Sequence, residues 1–566
     1  MAKYSRFRHL LTAEGEKLKE SGATPWNVYP RPQMARERWM CLNGKWKFLA
    51  GSESGEILVP FCPESLLSGF EGRMRYGETM KYERDFEIPA EWSGEKIIIN
   101  FGAVSRMCTV YINGKEALSH NNAYLPFSGD ITGYLKPGKN TVTVLVSNDL
   151  SPKYPWGKQK KRRGGIWYTP SSGIWQTVWL EPVPDLHIES LVIECDGTGA
   201  DIIVRGPDTG TVQCCGKTYG IQDGHVRIEP DSPRLWSPED PWLYRFTMTC
   251  GRDTVSSYFA LRTLSAGTFN GKPRLCLNGK PYFFHGLLDQ GYFSDGIYTP
   301  ASHSCYESDI MYMKELGFNT LRKHIKVEPE QFYYDCDRLG MVVFQDMVNN
   351  GDYRFMRDTA LPTIGCTRVD DSKNNKSPSY RKEFLSSMEQ TVRHLSNHPC
   401  ICYWTIFNEG WGQFEADKAY DIMRSLDSTR FIDSTSGWFR QTKSDVESMH
   451  QYFRDMHLEP GSSLPQVMSE FGGYAYKYPE HSFNKRLTYG YKMISSREAL
   501  AEDIRKAYVE EIVPLARKGL CGSVYTQVSD VEDEVNGMVT YDRKIRKIRK
   551  EELADIAGML REAVRE

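Results

Sequence analysis

The chain has 566 residues, 40% hydrophobic and 25% charged, with a formal net charge of −2. That length exceeds a single hydrophobic core and predicts several domains, while the even balance of charge excludes nucleic acid as the main partner. No stretch approaches the roughly 20 apolar residues of a membrane span, and the segment Met1 to Glu20 has no apolar run of signal-peptide length, so a cytoplasmic protein with no membrane partner is expected.

The 14 cysteines are scattered and form no C-x-x-C pair. Cys400, Cys402 and Cys521 sit in apolar runs and read as small hydrophobes, so neither a disulfide framework nor a zinc site is expected. Aromatic residues make 12% of the chain, a surplus that suits a protein gripping the C–H faces of sugar rings.

From residue 1 to 184 the chain reads as β. Lys96–Phe101, Cys108–Ile112 and Asn140–Val146 are short β-branched runs separated by turn signals such as Asn113-Gly114 and Pro137-Gly138, the pattern of a β-sandwich. The basic run Lys158 to Arg163 reads as a solvated loop. Residues 185 to 265 form a second, smaller β segment ending in Trp242–Thr249 and Ser256–Leu261, which suits an immunoglobulin-like sandwich.

From residue 266 to 566 the texture changes. Strand-like runs at Tyr282–Leu288, Thr320–His324, Met341–Asp346, Cys400–Asn408, Phe431–Thr435, Ser448–Tyr452, Gln466–Glu470 and Gly522–Gln527 alternate with connections. Amphipathic helices are expected at Tyr306–Leu316, Pro329–Leu339, Tyr380–Ser396 and Arg497–Lys518. Eight such strands predict a (β/α)8 barrel. A doubly wound open sheet lacks support, because no Gly-rich phosphate loop follows any strand.

Active sites of barrels lie at the C-terminal ends of the strands. The fourth strand ends in Asn408-Glu409 and the seventh in Glu470. Two carboxylates facing one point across the mouth are the requirement of glycoside hydrolysis, one as general acid and base, the other as nucleophile. Other strand ends offer candidates for a sugar pocket or for structural contacts at the rim. These are Asp289, Arg322, His324, Asp346, Trp438, Tyr452, Tyr525 and Gln527, with His450 leaning toward structure. The acidic cluster Asp530 to Glu534 reads as a solvated loop near the mouth. No metal and no cofactor are expected.

Asn408-Glu409 and Ser469-Glu470-Phe-Gly resemble glycoside hydrolase family 2, the β-galactosidase, β-glucuronidase and β-mannosidase family. Ordered landmarks extend the resemblance over most of the chain: Leu42–Phe48, Val59-Pro60, Tyr82–Phe86, Tyr111–Gly114, Gly173–Gln176, Leu235–Pro238, Pro241–Tyr244 and His398-Pro399. The resemblance implies a jelly roll, an immunoglobulin-like domain and a barrel. It also implies a retaining double displacement with Glu409 as acid/base and Glu470 as nucleophile, Asn408 on the sugar's 2-hydroxyl, and Tyr452 steadying the nucleophile. Glu409 must then start protonated, which a neighbouring carboxylate and partial burial favour.

Three places depart from the family pattern: Leu288–Tyr292 after the first strand, Arg322–Lys326 after the second, and Glu534–Met538 after the eighth. The last is acidic where β-glucuronidases carry an Asn-x-Lys pair; Asn374-Asn375-Lys376 spells that pair in a different loop, and Lys323 or Lys326 could supply the cation. The expected substrate is therefore a small-molecule or oligosaccharide β-glycoside with a neutral sugar, galactose first, and a uronate as the alternative. A carbohydrate-binding protein with a degenerate barrel and a transglycosylase are the competing functions. A homo-oligomer is left open.

Overall fold

The computed structural model describes residues 7–70, 72, 75–363, 365–452 and 455–566, with the backbone alone at residue 363. Residues 1–6 of the N-terminal stretch lie outside it.

Alternating burial builds the first sandwich. Gly44–Ala50 and Lys139–Ser147 bury every second side chain, as a strand with one core-facing side must. They belong to a six-stranded antiparallel sheet that also holds Glu53–Val59, Thr79–Glu87, Met107–Ile112 and Lys115–Asn121. A four-stranded sheet containing Lys96–Phe101 and Val178–Val183 accompanies it. Trp46, Phe48, Tyr82, Ile99, Val110 and Val144 fill the core. Asn113 and Gly114 both have positive φ, 50° and 81°, the type I′ turn that the dipeptide predicts. Residues 190–259 make the second sandwich, sheets of three and four strands around Ile202, Val212, Phe246 and Met248.

A small antiparallel sheet of Leu264–Phe269, Lys272–Leu277 and Lys280–Pro281 leads into the barrel. The barrel's strands are β1 Phe284–Asp289, β2 Thr320–Lys323, β3 Val342–Asp346, β4 Ile401–Asn408, β5 Phe431–Ser436, β6 Glu447–Gln451, β7 Gln466–Gly472 and β8 Leu520–Thr526. Both ends of each lie within two residues of those of an expected strand. The hydrogen-bonded order is β5-β4-β3-β2-β1-β8-β7-β6, all parallel. β6 returns to β5 through side chains: Ser448 Oγ donates to Asp433 Oδ1 (2.9 Å) and to the Thr435 carbonyl (3.4 Å).

The outer helices are α1 Ser304–Glu315, α2 Glu330–Leu339, α3 Pro378–Leu395, α4 Ala416–Leu426 and α5 Arg497–Lys506, which continues through a π turn, Ala507–Ile512, into α6 Val513–Lys518. In α3, Pro378 opens the first turn and Phe384, Met388, Val392 and Leu395 are buried, the spacing of one apolar helix face. Among the described residues only α4 lies between β4 and β7, and no helix joins β5, β6 and β7. That economy is how 61 residues separate Glu409 from Glu470 across two intervening strands.

Candidate active site

Glu470 is aimed by an irregularity in β7. Its neighbour β6 pairs Met449 with Met468 and then His450 with Glu470, skipping Ser469, and β8 loses register over the same residues. A bulge re-aims a side chain and frees a backbone group. Here the freed Ser469 carbonyl accepts from Arg322 Nη1 at 3.0 Å. The same nitrogen donates to Glu470 Oε1 at 3.1 Å, and Tyr452 donates its hydroxyl to Glu470 Oε2 at 2.5 Å. Burial pushes the Glu470 carboxyl up, but His450, Arg322, His324 and Lys158 outweigh it and hold it down at about 2. Glu470 is therefore ionised and fixed by two donors.

Arg322 is the hub. It is 1% exposed, and its Nε donates to Asp346 Oδ1 (2.9 Å) and its Nη2 to Asn408 Oδ1 (2.8 Å). Asp346 also holds His324, Oδ2 to Nδ1 at 2.7 Å. Asp346 is kept below its ordinary value despite burial by Arg322 and His324. The other ring nitrogen of His324, Nε2, is buried with no hydrogen-bond partner among the described residues, as is Trp438 Nε1; both are groups that a ligand could satisfy.

Glu409 closes the opposite side. It sits just past β4 with φ of +52°, a conformation rare outside glycine; Ser436 anchors it by accepting its backbone N–H at 2.9 Å. Its Oε1 lies 3.0 Å from His450 Nδ1, and His450 Nε2 lies 3.6 Å from Glu470 Oε1. Oxygens of the two glutamates come within 4.8 Å of each other. Gly437 admits the bridging imidazole: a Cβ there would stand 2.8 Å from His450 Nδ1.

Of the expected residues, Glu409, Glu470, Asn408, Arg322, His324, Asp346 and Tyr452 meet in this network, and Trp438 packs at its edge, 5.6 Å from the His450 ring. Three do not join it. Asp289 is held by Lys323 Nζ (2.5 Å) and the Gly291 N–H (2.9 Å), in a buried group with Glu328. Tyr525 is wholly buried, packs against Phe471 and Tyr474, and accepts from the Tyr474 N–H; β8 is buried on both sides, so nothing in its pattern marks which side chains face the mouth. Gln527 is buried and donates to Asn536 Oδ1 at 2.9 Å. His450, which leaned toward a structural reading, is instead the link between the two glutamates.

Two models of glycosyl hydrolases family 2 match the chain, the sugar binding domain over residues 72–184 and the TIM barrel domain over 271–482, together more than half of its length. The chain belongs to glycosyl hydrolases family 2. It is a glycoside hydrolase. It is 24% identical to the β-glucuronidase of Sus scrofa over 74% of this chain and 71% of that one. It is 23% identical to the β-galactosidase of Thermoanaerobacter pseudethanolicus over 78% of this chain and 60% of that one. The solved structure of Ruminococcus gnavus β-glucuronidase shares its fold, with a TM-score of 0.72, 19% identity, and coverage of 94% of this chain and 98% of that one.

In this family-2 enzyme the sugar-binding domain reaches into the barrel mouth, which corrects two sequence expectations. The acidic cluster is no solvated loop, and Arg163 of the basic run is its partner, while Lys161 and Arg162 of that run are exposed. Arg163 bonds Glu532 (2.8 Å) and Asp533 (3.4 Å), Tyr168 donates its hydroxyl to Glu534, and the Thr169 N–H donates to Glu532 at 2.9 Å. Asp530, Glu532, Asp533 and Glu534 are all buried. Burial pushes Glu534 up to about 7, against the pull of Lys158 and Tyr168.

Gly157, which precedes Lys158, packs on the chain just past β2: a Cβ there would be 3.2 Å from the Ile325 carbonyl. The Lys158 ammonium acts electrostatically on Glu470, His324 and Glu534. No carboxylate among the described residues lies within ion-pair distance of it.

Glu409, His450 and Glu470 are also the one grouping of metal-capable side chains found among the described residues. Arg322 Nη1 stands 3.4 Å from His450 Nε2. A fixed guanidinium at that spot opposes a second cation, so the geometry fits an acid pair better than a metal.

Proposed function

We propose that this family-2 enzyme is a retaining exo-β-glycosidase in which Glu470 is the nucleophile and Glu409 the acid/base. The observation that carries the reading is the separation of the two carboxylates, within 4.8 Å at their oxygens. That is close to the roughly 5–5.5 Å of retaining enzymes and too short for the water that inverting enzymes place between them. Arg322 and Tyr452 donate to the two carboxylate oxygens of Glu470, which suits a nucleophile, so the role of proton donor falls to Glu409. Glu470 attacks the anomeric carbon while Glu409 protonates the leaving oxygen; a glycosyl ester forms, and Glu409 then takes the proton of the water that cleaves it. Asn408 has its carbonyl oxygen on Arg322, which turns its NH₂ outward as a donor for the 2-hydroxyl.

For the glycone the favoured reading is a uronate. Lys323 and Lys326 are unsuited to it: Lys323 lies between Asp289 and Glu328, and Lys326 bonds Glu328 and the Gly291 and Tyr298 carbonyls. Lys158 has no such partner and acts electrostatically on the nucleophile, and a carboxylate on the sugar would complete it. A β-galactoside is the second reading, favoured by Glu534, whose carboxyl can accept from a neutral hydroxyl. The test is turnover of nitrophenyl β-glucuronide, galacturonide, galactoside, glucoside and mannoside by the wild type and by Lys158→Met. A uronidase shows uronide turnover and a KM raised about tenfold or more in the variant, the worth of one charge-assisted hydrogen bond. Preference for galactoside with no effect of Lys158→Met selects the second reading. Sugar binding without turnover of any glycoside would leave a binding protein.

A further inference from the structure

Glu409, not Glu470, lines a cavity of about 840 Å³ that opens outward from the site. We infer that this cavity is an aglycone site for a flat, largely apolar group of two or more fused rings. The inference rests on the catalytic roles proposed above, since the residue that protonates the leaving oxygen must face the departing group. His450, Tyr452 and Trp438 also line it, so the glycone takes the inner part; a methyl group beyond the glycone would still leave much of the space empty, whereas ligands of drug size occupy pockets of about 300–1,000 Å³.

The walls differ in character. Trp167 and Ile166 from the sugar-binding domain, with Tyr353, Phe355 and Pro362 from the loop after β3, make an apolar side. Gln451 and His457, at and after β6, make a polar one. Phe355 is 62% exposed and Tyr489, also in the lining, 36%. Large apolar side chains gathered in water at the mouth of a pocket mark a surface that a ligand covers.

A second sugar is the poorer occupant, because sugars stack on open ring faces. Trp167 is stacked on Trp156 (5.5 Å, 11°) and carries the Lys160 ammonium 3.8 Å from its ring centre. Tyr491 is stacked on Tyr452 at 3.9 Å. Trp167 therefore offers the cavity chiefly ring edge, and Phe355 adds a flexible apolar contact, a lining matched to a hydrophobic plate.

Calorimetric titration of the full chain with naphthyl, methyl and glucosyl thio-β-glucuronides, and the matching thio-β-galactosides, reads this site without any turnover. The naphthyl compound should bind about tenfold or more tightly than the methyl one, the gain from burying one ring system. Phe355→Ala should cut that ratio about threefold, and Tyr489→Ser should cut it as well. Equal affinities, tighter binding of the glucosyl compound, or a ratio unchanged in both variants would overturn the proposal. Failure of the catalytic reading shows separately, as absence of turnover on every nitrophenyl β-glycoside.

Discussion

Glu409 Oε1 lies 3.0 Å from His450 Nδ1, although the two residues belong to the ends of non-adjacent strands, β4 and β6. The imidazole thereby couples both glutamates, since its other nitrogen is turned to Glu470. His450→Phe removes a group that pulls the Glu470 carboxyl down. Glu470 should then rise from about 2, and the acid limb of kcat/KM should move to higher pH by about one unit or more. A kcat loss of about 10²-fold should accompany it. The pH–rate profile separates this from a merely structural defect, which would lower the rate without moving the limb.

Glu470→Gln should lower kcat by about 10⁴-fold or more while leaving the thermal midpoint near that of the wild type. Glu470→Gly with azide should regain turnover and release an α-glycosyl azide, seen by NMR. A β-configured product, or an active Glu470→Gln, would remove the nucleophile assignment.

Gly437 has φ of +98°, and a Cβ there would press on the His450 ring. Gly437→Ala should cost about 1–2 kcal/mol in denaturant unfolding. It should also lower kcat more than it changes KM, because the displaced group is the link between the glutamates.

Arg163→Met leaves Glu532 buried beside Asp533 without its cation. Stability should fall by about 3 kcal/mol or more, as for other buried pairs broken from one side. A double-mutant cycle with Glu532→Gln should return much of that loss, since the uncompensated charge goes with it.

Burial holds Glu534 protonated up to about 7. As pH rises from the ordinary carboxylate range through 7, the folded enzyme keeps a proton that the unfolded chain gives up, so this residue's contribution to stability falls over that window. Glu534→Gln removes the dependence. The variant should gain on the wild type by about 2–3 kcal/mol between about pH 5 and about pH 8, measured by chemical unfolding at each pH.

The barrel was legible because each strand is a compact apolar run that ends abruptly in polar residues, and Glu409 and Glu470 stand at two such ends. The network around them was legible only in part. Arg322, His324 and Asp346 end their strands, so position alone nominated them. The bulge at Ser469 left no mark, because a skipped residue in a fully buried strand changes no pattern. Tyr525 misled for the same reason. Lys158 to Arg163 and Asp530 to Glu534 each look like solvated charge when read singly; their pairing spans some 370 residues of chain and exists only in three dimensions.

That pairing makes the working enzyme indivisible. A barrel cut out at residue 266 would lose Arg163, Tyr168 and Lys158, expose acids that now lie buried, and open one wall of the cavity beside Glu409. The three folds cannot be exchanged as cassettes: grafting a new sugar-binding domain onto this barrel would rewrite the rim of its active site along with it.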